Sequence, residues 1–246
     1  MIQDELQVIA LMSRKGGAGK SMVVKVLASA AIARGRRCLL IDADPTADLT
    51  AWHDRAVRAG AASPRLAIRT EDRVSNIEAV IDEVADAGSA DFVVIDTAGL
   101  GSRAGEELAV LCDHIVTPTL LTETDFNVSL QTLSWFATLR ERVDDPAMLP
   151  EHHIAVNGMR ARPTAAERAL LERVIDQMPI LETPLYQRPA YVEMDARGLM
   201  GAIVEELQTS RNPLKRAHIA RFSEALAEAD DLLSDILAAE HARLAA

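Results

Sequence analysis

Short apolar runs alternate with longer segments of helical periodicity along most of the chain. The runs are Val8–Met12, Cys38–Ile41, Phe92–Ile95, Ile115–Val116 and Ile154–Val156. Apolar residues without polar alternation suit strands covered on both faces. The segments Lys20–Arg34, Leu49–Arg58, Val74–Ala87, Gly105–Leu111 and Phe126–Arg142 are long enough for crossover helices. In the first of them, Val23, Val24, Leu27, Ala28, Ala31 and Ile32 form a stripe at helical spacing. This alternation predicts an α/β fold: a doubly wound, mainly parallel sheet flanked by helices. In the second half, Thr164–Ala165–Ala166–Glu167 is a capping box that starts a helix running to about Met178. A short strand at Ile180–Leu181 and a proline-punctuated loop, Thr183–Pro189, are expected next. Asn212–Pro213 then separates two final helices, the later reaching about Ala239. No internal repeat, low-complexity linker or charge block interrupts the pattern. Residues 1–246 therefore read as one domain with a helical C-terminal section over about 199–240.

Composition narrows the classes. With 49% hydrophobic and 26% charged residues, the chain has ample apolar material for a core, which excludes general disorder. No apolar stretch approaches the ~18 residues of a membrane span. The opening MIQDELQ is acidic and polar, unlike a secretory signal, and a cytoplasmic location is expected. The net charge of −11 means that any DNA contact must come from a local basic patch. Cys38 and Cys112 lie in apolar segments and read as reduced core thiols, without the partners for a zinc site within one chain.

The most informative segment is Ser13–Arg14–Lys15–Gly16–Gly17–Ala18–Gly19–Lys20–Ser21, set between the first strand and the first helix. That is the context a phosphate loop requires. Glycines allow a tight turn with N–H groups facing inward, and the new helix adds free N–H groups and its positive dipole end. Lys20 can reach the β- and γ-phosphates, and the Ser21 hydroxyl can bind Mg²⁺.

Lys15 through Ser21 matches every fixed position of Lys-Gly-Gly-x-Gly-Lys-Ser/Thr, and here the chain resembles the deviant Walker A ATPases of the ParA/MinD superfamily. The resemblance implies a P-loop NTPase fold that hydrolyses ATP with Mg²⁺. It implies nucleotide contacts from Lys15, Gly16, Gly17, Ala18, Gly19, Lys20, Ser21 and Met22. In that family the first lysine reaches across a dimer to the partner's nucleotide. Lys15 would do so here, in an ATP-dependent homodimer with nucleotide sandwiched between subunits. By itself Lys15 could be a solvated loop residue. Yet Lys15, Lys20, Lys25 and Lys215 are the only lysines, and two fall in this loop.

Two acidic motifs follow. Ile41–Asp42–Ala43–Asp44–Pro45 ends a strand, where a carboxylate points into the crevice in which such sheets bind ligands. It resembles the family's Walker A′ element. That likeness gives Asp44 the task of orienting the attacking water and Asp42 that of supporting the Mg²⁺ shell. Thr46–Ala47–Asp48 stands where relatives often continue with glutamine. Phe92–Val93–Val94–Ile95–Asp96 has the Walker B pattern, with Asp96 holding Mg²⁺. Thr97–Gly101 resembles the segment that senses the γ-phosphate, but with Ala98–Gly99 in place of two prolines. Asn157, closing the strand Ile154–Val156, is either a turn residue or the family's adenine-reading asparagine. Slow, partner-regulated hydrolysis, with Lys15, Lys20 and Asp44 as the catalytic set, is the expected chemistry.

Three uses of an ATP cycle compete. A ParA-type positioning ATPase would bind DNA non-specifically, become nucleoid-associated with ATP, and move a cargo with a stimulating protein or cargo adaptor. Arg211, Lys215, Arg216 and Arg221 fall in a stretch without an acid from Leu207 to Phe222, and Arg188 lies near where ParA relatives carry a DNA-contacting arginine. These basic residues could instead pair with the acidic segment Glu224–Asp235. A MinD-like membrane ATPase would need a basic amphipathic C-terminal helix. The end here is acidic and alanine-rich, so no membrane contact is expected and its Leu and Ile residues should pack on the domain. A nitrogenase iron-protein type would share a cluster through two cysteines per chain, but Cys38 starts an interior strand. Leu49–Trp52, Ile115–Phe126, Met178–Tyr191 and Arg197–Gly198 further resemble the VirC-type ATPases of T-DNA transfer. This implies a short ParA without an N-terminal helix-turn-helix domain, and a plasmid, conjugative complex or protein assembly as cargo.

Overall fold

The computed structural model describes residues 5–98 and 103–244. Six strands, β1 (Gln7–Leu11), β2 (Cys38–Ala43), β3 (Leu66–Thr70), β4 (Phe92–Thr97), β5 (His114–Thr119) and β6 (Glu151–Val156), form one sheet in the order β3-β2-β4-β1-β5-β6. Every pairing is parallel, and the connections carry α1 (Lys20–Ala33), α2 (Asp48–Arg58), α3 (Val74–Ala87), α4 (Arg103–Ala109) and α5 (Glu123–Arg142). After β6 come α6 (Ala165–Gln177), α7 (Pro189–Arg197), α8 (Met200–Thr209), α9 (Pro213–Arg216) and α10 (Ile219–Leu244). None of the described helices is long and apolar enough to cross a membrane.

Alternate residues of the central strands feed two separate cores. Ile9, Leu11, Leu40 and Val94 pack against Val23, Val24 and Leu27 of α1 and, beyond them, against Phe222, Leu232 and Ile236 of α10. Ala10, Met12, Ile41 and Ile95 face the other way, onto Ile77 of α3 and Phe136 and Leu139 of α5. Burial on both faces explains the uninterrupted apolar runs of these strands. The apolar side of α10 packs on the domain, as its sequence predicts.

The structure adds elements that the pattern does not announce. β3 sits at the sheet edge, with Ala67 and Arg69 exposed, so it shows no apolar run. Ile180 makes only an isolated bridge to Ile154 in place of the expected short strand. Still, the segment around it covers β6: Ile154 N donates to Pro179 O, Leu181 N to Ile154 O and Leu185 N to Val156 O. Among the described residues no strand pairs with the outer side of β3. Pro189, expected in a loop, is the first residue of α7, where its missing N–H costs no helical bond. Asn212 and Pro213 separate α8 from α10 by starting a turn of helix themselves, α9, with Asn212 Oδ1 accepting from Leu214 N at 2.9 Å.

α7 is fastened to α1 and α2. The Trp52 indole, wholly buried, donates to Met194 O at 2.9 Å, and Lys25 Nζ lies 2.5 Å from Asp195. The α7–α8 junction passes so close to α2 that a Cβ on Gly198 would stand 2.6 Å from both Ala56 Cβ and Ala61 O. Gly198 also has φ +124, a conformation open in practice to glycine alone. Backbone strain and overpacking each cost about 1–3 kcal/mol, so Gly198→Ala is expected to lower stability by roughly 2–5 kcal/mol. The midpoint of urea unfolding, compared with the parent chain, measures this.

Candidate functional site

The parallel arrangement brings the carboxyl ends of β1, β2, β4, β5 and β6 to one side of the sheet. The glycine loop spans Met12 to Gly19, between β1 and α1, with Gly17 at φ +90 and Gly19 at φ +91. Gly16 and Gly17 have open space where a Cβ would sit, as a loop that wraps a ligand with its backbone requires. Lys20 opens α1 and is 8% exposed. Ser21 and Met22 follow on the same turn, half-buried.

Two carboxylates meet beside that turn. Asp42 and Asp96 are register partners on adjacent strands, only 1% and 2% exposed. Asp42 Oδ1 and Asp96 Oδ1 are both buried without a hydrogen-bond partner among the described residues. Burial pushes the Asp96 carboxyl up to about 6; the Ser21 hydroxyl and Lys20 ammonium pull it down, while Asp42 and Asp96's other acidic neighbour, Asp44, push it up. Asp44 is half-exposed, its Oδ1 accepting from Thr46 N at 2.9 Å and Thr46 Oγ1 at 2.8 Å.

These groups fit Mg²⁺. Unpartnered buried carboxylate oxygens and a serine hydroxyl are hard oxygen donors. Among the described residues no cluster of three or more His, Cys, Asp or Glu could cage a metal unaided. Mg²⁺ is commonly held in just this sparse way, by one or two protein oxygens, water and substrate phosphate.

Lys15 is half-exposed, with Nζ 3.5 Å from Asp125 Oδ1. Asp125 is buried near the start of α5, and Thr122 Oγ1 donates to its Oδ2 at 2.5 Å. Asn157 does not stand free: its Nδ2 donates to Ala18 O at 3.0 Å, packed against Gly19. It also borders a cleft of about 660 Å³ whose walls include Met22, Tyr186, Pro189, Tyr191 and Val192. The size and the largely apolar walls suit a purine nucleoside.

The five basic residues differ in availability. Arg188 is engaged, with Nε 2.7 Å from Glu228 and Nη1 3.2 Å from Glu224. Arg221 pairs with Glu193 of α7. Arg188 thus follows the charge-pairing alternative at Glu224–Asp235, whereas the partner of Arg221 lies outside that segment. Arg211, Lys215 and Arg216 are exposed on the α8–α9 connection and α9, and among the described residues none of them is in an ion pair. Of the Thr97–Gly101 segment, Thr97 is buried and donates to Leu11 O at 2.7 Å, whereas Gly99–Gly101 lie outside the described residues. Cys38 and Cys112 are buried, and burial pushes the Cys38 thiol up to about 12 and raises that of Cys112 as well. Neither is disposed to share a cluster with a second chain.

Three contributors are not evident from the motifs: Thr50, which bonds Asp42; Asp125, which faces Lys15; and α7, which walls the cleft. Thr50 and Asp125 lie inside segments that carry the VirC-type likeness, which is the one signal that could have marked them.

The sheet order, the glycine loop entering α1 and the aspartates at the ends of β2 and β4 define a class, the P-loop ATPase fold of the ParA/MinD type. The family model for VirC1 protein matches residues 6–241. The chain belongs to the VirC1 family. It is 27% identical to the protein virC1 of Rhizobium radiobacter over 197 residues, which are 79% of this chain and 83% of that one. Among solved structures, pnob8 ParA superimposes with a TM-score of 0.66 at 17% identity, covering 96% of this chain and 99% of that one. The septum site-determining protein MinD from Pyrococcus horikoshii, solved with Mg-ADP, gives a TM-score of 0.61 at 19% identity, covering 92% and 94%.

Proposed function

We propose that the chain is a ParA-like ATPase that binds ATP and Mg²⁺, pairs with a second copy around the nucleotide, binds DNA non-specifically and hydrolyses ATP slowly to position a cargo. The observation that carries this reading is the pair of buried oxygens of Asp42 and Asp96 that have no partner among the described residues, set beside Ser21 and Lys20 under an open glycine loop. Bound there, Mg²⁺ supplies charge neutralisation to the phosphate oxygens. The loop amides and Lys20 hold the β- and γ-phosphates, and Asp96 with Ser21 offers oxygen to the cation. Asp44, at the half-exposed end of β2, orients the attacking water. Lys15 leaves Asp125 and reaches the γ-phosphate of the partner subunit, completing the charge stabilisation. The adenosine moiety occupies the cleft between Met22 and α7, with Asn157 at its edge. The resemblance to the VirC-type ATPases of T-DNA transfer, together with membership of the VirC1 family, favours a conjugative complex as cargo.

Arg211, Lys215 and Arg216 are the basic groups best placed to meet DNA, and a dimer doubles their number. A DNA titration with ATP, with ADP and without nucleotide tests this. Binding is expected with ATP only. Charge reversal at Lys215 and Arg216 should weaken it and lower the slope of log affinity against log salt by about 2 per chain. Equal binding in all three states would remove the ATP switch. An unchanged slope would place the contact elsewhere, and binding to anionic liposomes instead of DNA would favour a MinD-like use.

A further inference from the structure

One carboxylate of the candidate cation position is oriented from outside the glycine loop. Asp42 Oδ2 accepts twice from a single residue, from Thr50 N at 2.8 Å and from Thr50 Oγ1 at 2.9 Å. Thr50 stands in the first turn of α2, where amides lack helical partners and the dipole favours an anion. Its hydroxyl also lies 2.9 Å from Thr70 Oγ1, at the end of β3. A hydroxyl has one proton and an ionised carboxylate can only accept. The Thr50 proton therefore points to Asp42, and Thr70 donates to Thr50. The backbone holds the same corner, since Glu71 N donates to Asp42 O at 3.1 Å and Asp42 pairs in register with Thr70. With Oδ2 engaged on this side, Asp42 turns its other oxygen, Oδ1, into the buried position where it has no partner among the described residues, next to Asp96. An orphaned buried acceptor is unfavourable unless a donor or cation arrives.

We infer that Thr50, backed by Thr70, is the positioning residue for the cation: its hydroxyl fixes the Asp42 carboxylate so that Oδ1 faces the Mg²⁺ hydration shell. This rests on the ATP–Mg²⁺ reading above. Partners that orient metal-binding groups are commonly worth 10–100-fold in metal affinity.

The test compares Thr50→Val, which keeps shape and backbone amide but removes the hydroxyl, with Thr50→Ser, which restores it. Binding of a fluorescent ATP analogue is measured against Mg²⁺ concentration and again in excess chelator. Thr50→Val is expected to raise the half-saturating Mg²⁺ concentration about 10-fold. Its chelator-state nucleotide affinity should stay within about twofold of the parent, and Thr50→Ser should restore the parent Mg²⁺ dependence. A residue serving only to cap α2 would change thermal stability and leave the Mg²⁺ midpoint alone. If Thr50→Val fails to fold, Thr70→Val at the exposed end of β3 carries the test, with a smaller rise expected. An unchanged midpoint in the valine variants, or a serine variant as impaired as valine, overturns the assignment while leaving the ATP–Mg²⁺ reading intact. A parent chain that binds no nucleotide overturns both.

Discussion

Lys20→Ala is expected to weaken ATP–Mg²⁺ binding by about 30-fold at least and up to about 3,000-fold. That range converts the roughly 2–5 kcal/mol lost when one partner of a buried charge pair is truncated, at about 1.4 kcal/mol per tenfold. The lysine is nearly buried and sits where its charge already acts on Asp96. Without it, the site would present two buried aspartates to a polyanion. Desolvation, which raises the Asp96 carboxyl, would then have less opposition. The loop amides and the start of α1 remain in the variant, so a residual affinity should persist. Calorimetric titration of parent and variant gives the ratio directly, and equal affinities would remove the glycine loop from the nucleotide site.

Lys15→Ala is expected to separate binding from assembly. Lys15 is half-exposed, and its ion pair to Asp125 is long at 3.5 Å. Only the lysine side of the pair is exposed, but the buried Asp125 keeps the hydrogen bond from Thr122 Oγ1, so the fold should tolerate the loss of so long a contact. Nucleotide affinity of the single chain should fall less than about tenfold, since Lys20 and the loop amides are untouched. The proposed ATP-dependent dimer should disappear, because each subunit would lose the cation that the proposal has it lend to its partner. Light scattering with and without ATP–Mg²⁺ reads this outcome. Dimers of normal abundance in the variant would refute the shared site.

Legibility in the sequence followed burial. β1, β2 and β4 are covered on both faces and announce themselves as apolar runs. β3 does not, because Ala67 and Arg69 look outward at the sheet edge. β5 extends beyond Ile115–Val116 since its polar residues are buried and bonded within the fold: Thr117 Oγ1 donates to Met12 O at 2.7 Å and meets His152 Nε2 at 2.9 Å. Such pairings lie 35 or more residues apart, beyond the reach of any periodicity. The glycine loop and both aspartates were legible because each motif is contiguous and closes a strand. Thr50, Asp125 and α7 reach the same place through the topology. The ion pairs of Arg188 with Glu224 and Glu228 are equally invisible along the chain, although its composition raised the possibility of such pairing.

The two rims of the sheet have unlike fates. Beyond β6, the stretch from Pro179 onward takes up Ile154 N, Ile154 O and Val156 O, whereas among the described residues no strand pairs with the outer side of β3. A copy joining through its main chain would meet less competition on the β3 side, and so would the copy it joins. Docked β3 to β3, the two molecules leave no further β3 to extend from. Strand pairing of that kind would stop at two members.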